Sequence, residues 1–166
     1  GSSAGCFTPN TRILTNSGYK HINEVKKGDR VLTYNEKYGL NQFKEVTNVF
    51  EFKNKQEDMY TLKIDDEYLD VTSHHRVFVV DKNIEDSNIA KGKYIEAGNL
   101  HVGDIVLSSH GKYHKIKDIK YRTQSSDVYN LEVNDNHNFY VGDNNILVHN
   151  MRRKYSCVSQ FCYSKS

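Results

Sequence analysis

Long apolar runs, cysteine and proline are scarce in this chain of 166 residues. No apolar stretch approaches the 18 residues of a membrane-spanning helix and no signal peptide begins the chain, so we expect no membrane span. The three cysteines are Cys6, Cys157 and Cys162, so residues 7–156 contain none. This distribution is not a disulfide framework. The single proline leaves β-hairpins largely uninterrupted.

Excess charge is also nearly absent. The chain has 23 Lys and Arg against 21 Asp and Glu, a formal net charge of +2, which argues against a nucleic-acid partner. The positive charge is concentrated at the end of the chain, where "MRRKYSCVSQFCYSKS" contains four basic and no acidic residues. The remaining 150 residues form a single domain by length, long enough to bury a core.

Short runs rich in Val, Ile, Tyr, Phe and Thr predict an all-β fold. They are bounded by Asn, Asp, Gly and Ser, the residues of turns. Two stretches, "KHINEVKKG" and "IEAGNLHVG", are each predicted to hold one helical turn, and the polar stretch 81–93 is predicted to be a mobile loop. The predicted strands are "YTLKI", "YLDVT", "RVFVV", "DIVLSS", "VYNLEV" and "NFYVG".

A weak internal repeat relates the two halves of the chain. "INEVKKGDRVLTYN" (22–35) is similar to "AGNLHVGDIVLSSH" (97–110), which places Gly28 and Gly103 at corresponding positions. A module used twice predicts two β-subdomains related by a pseudo-twofold axis, with strands from both chain ends meeting at the centre.

Cys6 follows a glycine and precedes an apolar strand in "GCFTPNTRI". A cysteine at the start of a domain can attack the carbonyl of its own upstream peptide bond and convert the amide to a thioester. A glycine before it offers the least steric hindrance. The alternative is that Cys6 is a small buried hydrophobe, which is the usual role of a lone cysteine.

The segment "VTSHHRVFV" places Thr72 and His75 three residues apart, so a turn or bulge can aim both at one point. The imidazole can protonate the departing amide nitrogen while the hydroxyl bonds the peptide. His74 points outward by strand alternation and is the weaker candidate. A hydrogen-bonded histidine in a turn is the simpler alternative.

The end of the domain reads "NNILVHN", a short apolar strand followed by His149 and Asn150. The Asn150 side-chain nitrogen can attack its own backbone carbonyl, forming a succinimide and cutting the chain before Met151. That reaction needs a general acid and a base, which His149 and His137 can supply near neutral pH.

Together these residues resemble the Hint/intein superfamily, most closely its bacterial intein-like domains of the A type. The resemblance implies a horseshoe-shaped all-β fold over residues 6–150, flanked by an N-terminal segment (1–5) and a C-terminal segment (151–166). It also implies single-turnover autocatalysis, which needs no cofactor and acts on the chain's own flanking polypeptides in a monomer. The site residues it implies are Cys6, Thr72, His75, His137, His149 and Asn150.

Two positions depart from the splicing pattern. Many inteins carry aspartate where this chain has Asn130 in "VYNLEV", and Asp135 is a candidate to substitute in part for that aspartate. Splicing inteins carry Cys, Ser or Thr after the terminal asparagine, whereas this chain has Met151, whose thioether cannot accept an acyl group. We therefore expect mainly N- and C-terminal cleavage, with splicing as a minor product.

Two other functions fit parts of the pattern. A hedgehog-type autoprocessing domain also begins with Cys-Phe, but it has no use for a terminal asparagine. A metal-binding β-domain would gather thiolate and imidazole around zinc, which in the processing hypothesis becomes an inhibitor instead. The residues that would converge on zinc are Cys6, His75, His137 and His149.

Overall fold

The computed structural model describes residues 5–81 and 89–151, together with the backbone of 164–165. Regular structure in these residues is β-strand apart from three single 3-10 turns, at Ile22–Glu24, Ala97–Asn99 and Ser109–Gly111. No helix in the described residues is long and apolar enough to cross a membrane. The strands are β1 (Arg12–Thr15), β2 (Gly18–His21), β3 (Arg30–Asn35), β4 (Leu40–Ile64), β5 (Glu67–Thr72), β6 (Arg76–Val80), β7 (Gly92–Glu96), β8 (Ile105–Leu107), β9 (Tyr113–Val133), β10 (Asn138–Val141), β11 (Ile146–His149) and β12 (Ser164–Lys165).

Two long strands form the spine of the molecule. β4, of 25 residues, pairs antiparallel with β9, of 21 residues, from Val46↔Val133 to Ile64↔Ile116. The prediction of short strands throughout is therefore wrong here. Three register shifts interrupt the ladder without ending it. Such bulges let a strand continue through residues that break the sequence alternation.

The predicted repeat is present in backbone detail. Gly28 and Gly103 have φ of +97° and +95°, in the left-handed region that favours glycine. The Gly28 N–H donates to the carbonyl of Val46 at 2.8 Å, and the Gly103 N–H donates to Ile116 at the same distance. Each glycine follows one 3-10 turn and leads into a short strand that pairs with a long one. The pseudo-twofold arrangement follows from these matched hairpins.

Both ends of the domain meet at the last third of β9. Phe7 bridges Tyr129 of β9 and Val71 of β5, and Met151 donates its N–H to the carbonyl of Leu131 at 3.0 Å. Phe7 is fully buried, which contributes about 1.5–3 kcal/mol by the usual transfer scale. This anchor fixes the position of Cys6, the residue before it.

Some predictions lie outside the described residues. Cys157 and Cys162 are outside the described residues, and so are residues 82–88 of the loop predicted at 81–93. Its last two residues, Gly92 and Lys93, belong to strand β7.

Candidate active site

Cys6 is completely buried at the edge of the apolar core. Its backbone N–H donates to the hydroxyl oxygen of Thr72 at 2.7 Å, and its carbonyl accepts the Thr72 N–H at 3.1 Å. Thr72 is the last residue of β5, and a tight turn follows, in which the His75 N–H donates to the Thr72 carbonyl at 3.1 Å. The turn therefore brings Thr72 and His75 to the peptide bond before Cys6.

His75 is buried against that peptide bond. Its ring centroid lies 4.3 Å from that of Phe7, and a Cβ atom added to Gly5 would lie 2.1 Å from the His75 Cα. Only glycine therefore fits at position 5 in this conformation. Burial lowers the pKa of His75 to about 3, and the backbone groups of Gly5 and His149 offset only part of that effect. The ring is neutral at ordinary pH.

Asn130 lies between the two ends of the domain. Its amide nitrogen Nδ2 donates to the Gly5 carbonyl at 2.5 Å and lies 3.5 Å from both His75 Nδ1 and Met151 Sδ. Its oxygen Oδ1 accepts the N–H of Leu131 at 2.7 Å, which fixes which end of the carboxamide faces Gly5. A side-chain amide donor therefore points at the carbonyl that a Cys6 thiol would attack.

The Asn150 carboxamide is held at both ends by one residue. Its Oδ1 accepts the Val133 N–H at 3.0 Å, and its Nδ2 donates to the Val133 carbonyl at 2.9 Å. The Asn150 N–H donates to the carbonyl of His137 at 2.9 Å. Each of these bonds contributes about 1 kcal/mol net, so the terminal asparagine is firmly oriented before any reaction.

His149 and His137 line an open pocket of about 430 Å³ beside Asn150. His149 Nδ1 lies 2.8 Å from Arg76 Nη2 and 3.1 Å from the Asn150 carbonyl oxygen. His137 is exposed, with a positive φ of +55° that turns the chain ahead of β10. The structure thus places both histidines near the C-terminal peptide bond and His75 near the N-terminal one.

Met151 occupies the position where a splicing nucleophile would stand. It is 4 % exposed and packs with Cys6 in a small apolar cluster. The remaining members of that cluster are Phe50, Phe52, Met59 and Val128. The first residue of the domain and the residue after its last one therefore belong to the same buried cluster, although their sequence positions are 145 apart.

A family model described as the pretoxin HINT domain matches residues 12–151. The chain belongs to this family. It is similar to the bacterial intein-like domain of Clostridium thermocellum, with 31 % identity, a TM-score of 0.75, and coverage of 87 % of this chain and 98 % of that one. No curated protein sequence matches it. The resemblance inferred from the sequence is confirmed.

Two inteins below 25 % identity show the same fold as this Hint domain. The DnaX mini intein of Spirulina platensis is 24 % identical with a TM-score of 0.69, covering 87 % of this chain and 99 % of that one. The DnaB intein of Synechocystis is 19 % identical with a TM-score of 0.69, and the match covers 88 % of this chain and 98 % of that one. The all-β Hint architecture is thus established.

The zinc site that the sequence allows is not assembled in the part of the Hint domain that the structure describes. Within residues 5–81 and 89–151, no group of three or more His, Cys, Asp and Glu side chains is placed to hold a metal ion. The physical reason is that Cys6 and His75 are buried within the core, whereas His137 is exposed at the pocket. Asp135 also stays away from the site, because it is exposed and pairs with Lys44 at 3.1 Å.

Two residues of the Hint site, Asn130 and Arg76, are not among the site residues that the sequence predicts. Asn130 stands out in the sequence only as a departure from aspartate, and its donor role depends on the bond to Leu131, which no sequence pattern encodes. Arg76 follows His75 directly in "TSHHR", and strand alternation was the available signal that it faces the opposite side from His75. His74 is about half exposed and lies 3.7 Å from Glu96, which agrees with its predicted outward orientation.

Proposed function

We propose that this Hint domain cleaves its own chain at both ends, before Cys6 and after Asn150. The observation that carries the proposal is the position of Asn130, whose Nδ2 contacts both Gly5 and Met151. One side chain therefore reaches both the carbonyl of the first proposed scissile bond and the residue after the second. The family's description as a pretoxin domain fits a role in releasing an attached segment.

The N-terminal step is an N–S acyl shift. The Cys6 sulfur attacks the Gly5 carbonyl carbon, the C–N bond to Cys6 breaks, and the thiol proton ends on the freed amine. Neutral His75 can take the proton and return it to the nitrogen, because its pKa of about 3 leaves it uncharged. Thr72 accepts the N–H of that nitrogen, which favours the positive charge that develops there.

Asn130 serves the same step as an oxyanion donor. Attack on the Gly5 carbonyl moves negative charge onto its oxygen, which is where the Asn130 N–H points. A donor fixed before the reaction stabilises the transition state without reorganisation. Aspartate at this position would offer a donor only when its carboxyl group is protonated. The carboxamide of Asn130 offers a donor at any pH.

The C-terminal step is cyclisation of Asn150. Its Nδ2 attacks its own backbone carbonyl carbon, the bond to Met151 breaks, and one Nδ2 proton ends on the Met151 amine. The Val133 carbonyl already accepts a hydrogen from Nδ2, which raises the electron density on the attacking nitrogen. His149 and His137 line the pocket beside this bond and can exchange the proton.

Cleavage dominates over splicing because the Met151 side chain offers no nucleophile. After Asn150 cyclises, the released amine of Met151 has a pKa near ~8 by reference values, so part of it is neutral at mildly alkaline pH. Since Met151 and Cys6 belong to one buried cluster, aminolysis of the thioester gives a minor ligated product. Water and added thiols compete for the same thioester.

The test is a fusion with one folded protein at each end, followed by mass spectrometry with and without dithiothreitol. The unaltered domain should lose both flanks, Cys6→Ala only the C-terminal one, and Asn150→Ala only the N-terminal one. The double variant should stay intact. Loss of the upstream flank from Cys6→Ala in the presence of thiol would contradict the thioester route.

A further inference from the structure

The guanidinium group of Arg76 binds the histidine that precedes the cleaved asparagine. Arg76 Nη2 lies 2.8 Å from His149 Nδ1. The sheet sets this contact. Val77 of β6 pairs antiparallel with Val148 of β11, and Arg76 and His149 are the adjacent residues on the two strands. The neighbouring Tyr94 packs its ring edge-on against the His149 ring at 4.8 Å and also lies 5.9 Å below the Arg76 guanidinium.

The chemistry of this contact fixes the proton on the His149 ring. A guanidinium group has only donors, so Nδ1 must be the acceptor and the ring must be neutral with its proton on Nε2. The same Nδ1 lies 3.1 Å from the Asn150 carbonyl oxygen, which is also an acceptor. Nδ1 cannot donate to that oxygen while it accepts from Arg76. The shorter, charge-assisted bond to Arg76 decides the arrangement.

Cyclisation of Asn150 places negative charge on that same carbonyl oxygen. A donor aimed at it would stabilise the transition state, and His149 Nδ1 is the nearest ring nitrogen. We propose that Arg76 is a brake on C-terminal cleavage. It holds His149 in the tautomer that cannot donate to the Asn150 carbonyl, and cleavage proceeds when the contact opens. This inference rests on the proposed function of Asn150.

Among the described residues, Arg76 supplies a cation within hydrogen-bond distance of the His149 ring. Burial raises the pKa of Tyr94, so Tyr94 is neutral at working pH. His75 is neutral as well, because burial lowers its pKa to about 3. The titratable and charged groups facing His149 are Arg76, Tyr94, His75, His137 and Glu132.

The brake predicts an unusual gain of function. At acidic pH a doubly protonated His149 repels Arg76 and donates to Asn150 whether or not the arginine is present. At neutral and alkaline pH the parent ring can carry its proton on Nδ1 only while the Arg76 contact is open, whereas a variant without the arginine can do so at all times. Removal of Arg76 should therefore raise the cleavage rate most at high pH and least at low pH.

The experiment measures release of the C-terminal segment from the full chain carrying Cys6→Ala, so that only the Asn150 step is observed. Arg76→Met keeps an unbranched, flexible side chain and removes the donors, whereas Arg76→Lys keeps the charge. Arg30→Met is the matched control, because Arg30 is exposed and its Nη2 bonds a backbone carbonyl on the neighbouring strand. Arg76→Gln provides a second variant if Arg76→Met folds poorly by circular dichroism.

We expect Arg76→Met to cleave about tenfold faster than the parent at mildly alkaline pH, because the neutral ring regains a donor to the Asn150 carbonyl. Arg76→Lys and Arg30→Met should match the parent. Equal or slower cleavage by both Arg76→Met and Arg76→Gln overturns the brake while leaving the proposed function intact. Absence of cleavage after Asn150 in every variant at every pH overturns both.

Nitrogen-15 NMR of the His149 ring gives a readout that does not depend on cleavage. In Asn150→Ala, which cannot cyclise, the parent ring should carry its proton on Nε2, and Arg76→Met should shift protonation towards Nδ1. A ring already protonated on Nδ1 in the presence of Arg76 contradicts the proposal whatever the rates.

Discussion

Replacement of Asn130 with aspartate tests the oxyanion donor while leaving the shape of the site unchanged. The carboxylate keeps the oxygen that accepts the Leu131 N–H but loses the N–H that reaches the Gly5 carbonyl at 2.5 Å. Loss of one oxyanion donor costs about 10²–10³-fold in rate, about 3–4 kcal/mol. A negative charge beside the developing oxyanion adds to that cost, so we expect N-terminal cleavage to slow by at least about 100-fold at neutral pH.

The assay follows release of the upstream flank by dithiothreitol in the Asn150→Ala background. The deficit of Asn130→Asp should shrink as the pH falls, because protonation of the carboxyl restores a donor. Asn41→Asp is the matched control, since Asn41 is exposed on β4 and its bond from the Tyr140 hydroxyl uses the oxygen that aspartate keeps. Thiol-induced cleavage by Asn130→Asp as fast as the parent's at neutral pH would refute the donor role.

Three further perturbations follow from the site. His75→Ala should slow thiol-induced release by about 10²–10⁴-fold, as for a lost general acid or base, whereas His74→Ala should leave the rate nearly unchanged; the same thiol assay decides which histidine acts. Because His75 has its pKa lowered from 6.5 to about 3 in the folded state, the free energy of unfolding should fall as the pH drops below 6.5 towards about 3. Urea titrations should show that His75→Gln weakens this dependence, and an unchanged slope would contradict the neutral buried ring. Met151→Cys should turn ligated flanks into a major product, because position 151 lies in the same buried cluster as Cys6; mass spectra with cleavage products alone would place the two residues too far apart.

The all-β fold and its two-fold repeat could be predicted because they depend on local signals. Gly28 and Gly103 mark positions where the backbone adopts positive φ, and that requirement is visible in the sequence. The length of β4 and β9 could not be predicted. Asn54, with a φ of +47°, looks like a turn residue, yet its N–H bonds to the Asp127 carboxylate and the ribbon continues past it.

The candidate site was predictable where chemistry alone selects the residue. A thiol at the start of the domain, an imidazole in the middle and a carboxamide at the end suggest autoprocessing by their chemistry and order, and these are Cys6, His75 and Asn150. Asn130 and Arg76 act through partners that only the register of distant strands supplies. An amide and a guanidinium are common in any sequence, so their functional orientation becomes apparent only when β9 and β6 are in place.

The central claim is that the domain's own residues cut both of its ends at one site. Intact mass of the excised domain tests it most directly. Cyclisation predicts a fragment that begins at Cys6 and ends in a succinimide at position 150, one water lighter than the product of simple hydrolysis after Asn150. A fragment at the full hydrolytic mass from the outset, or ends at other residues, would contradict the account.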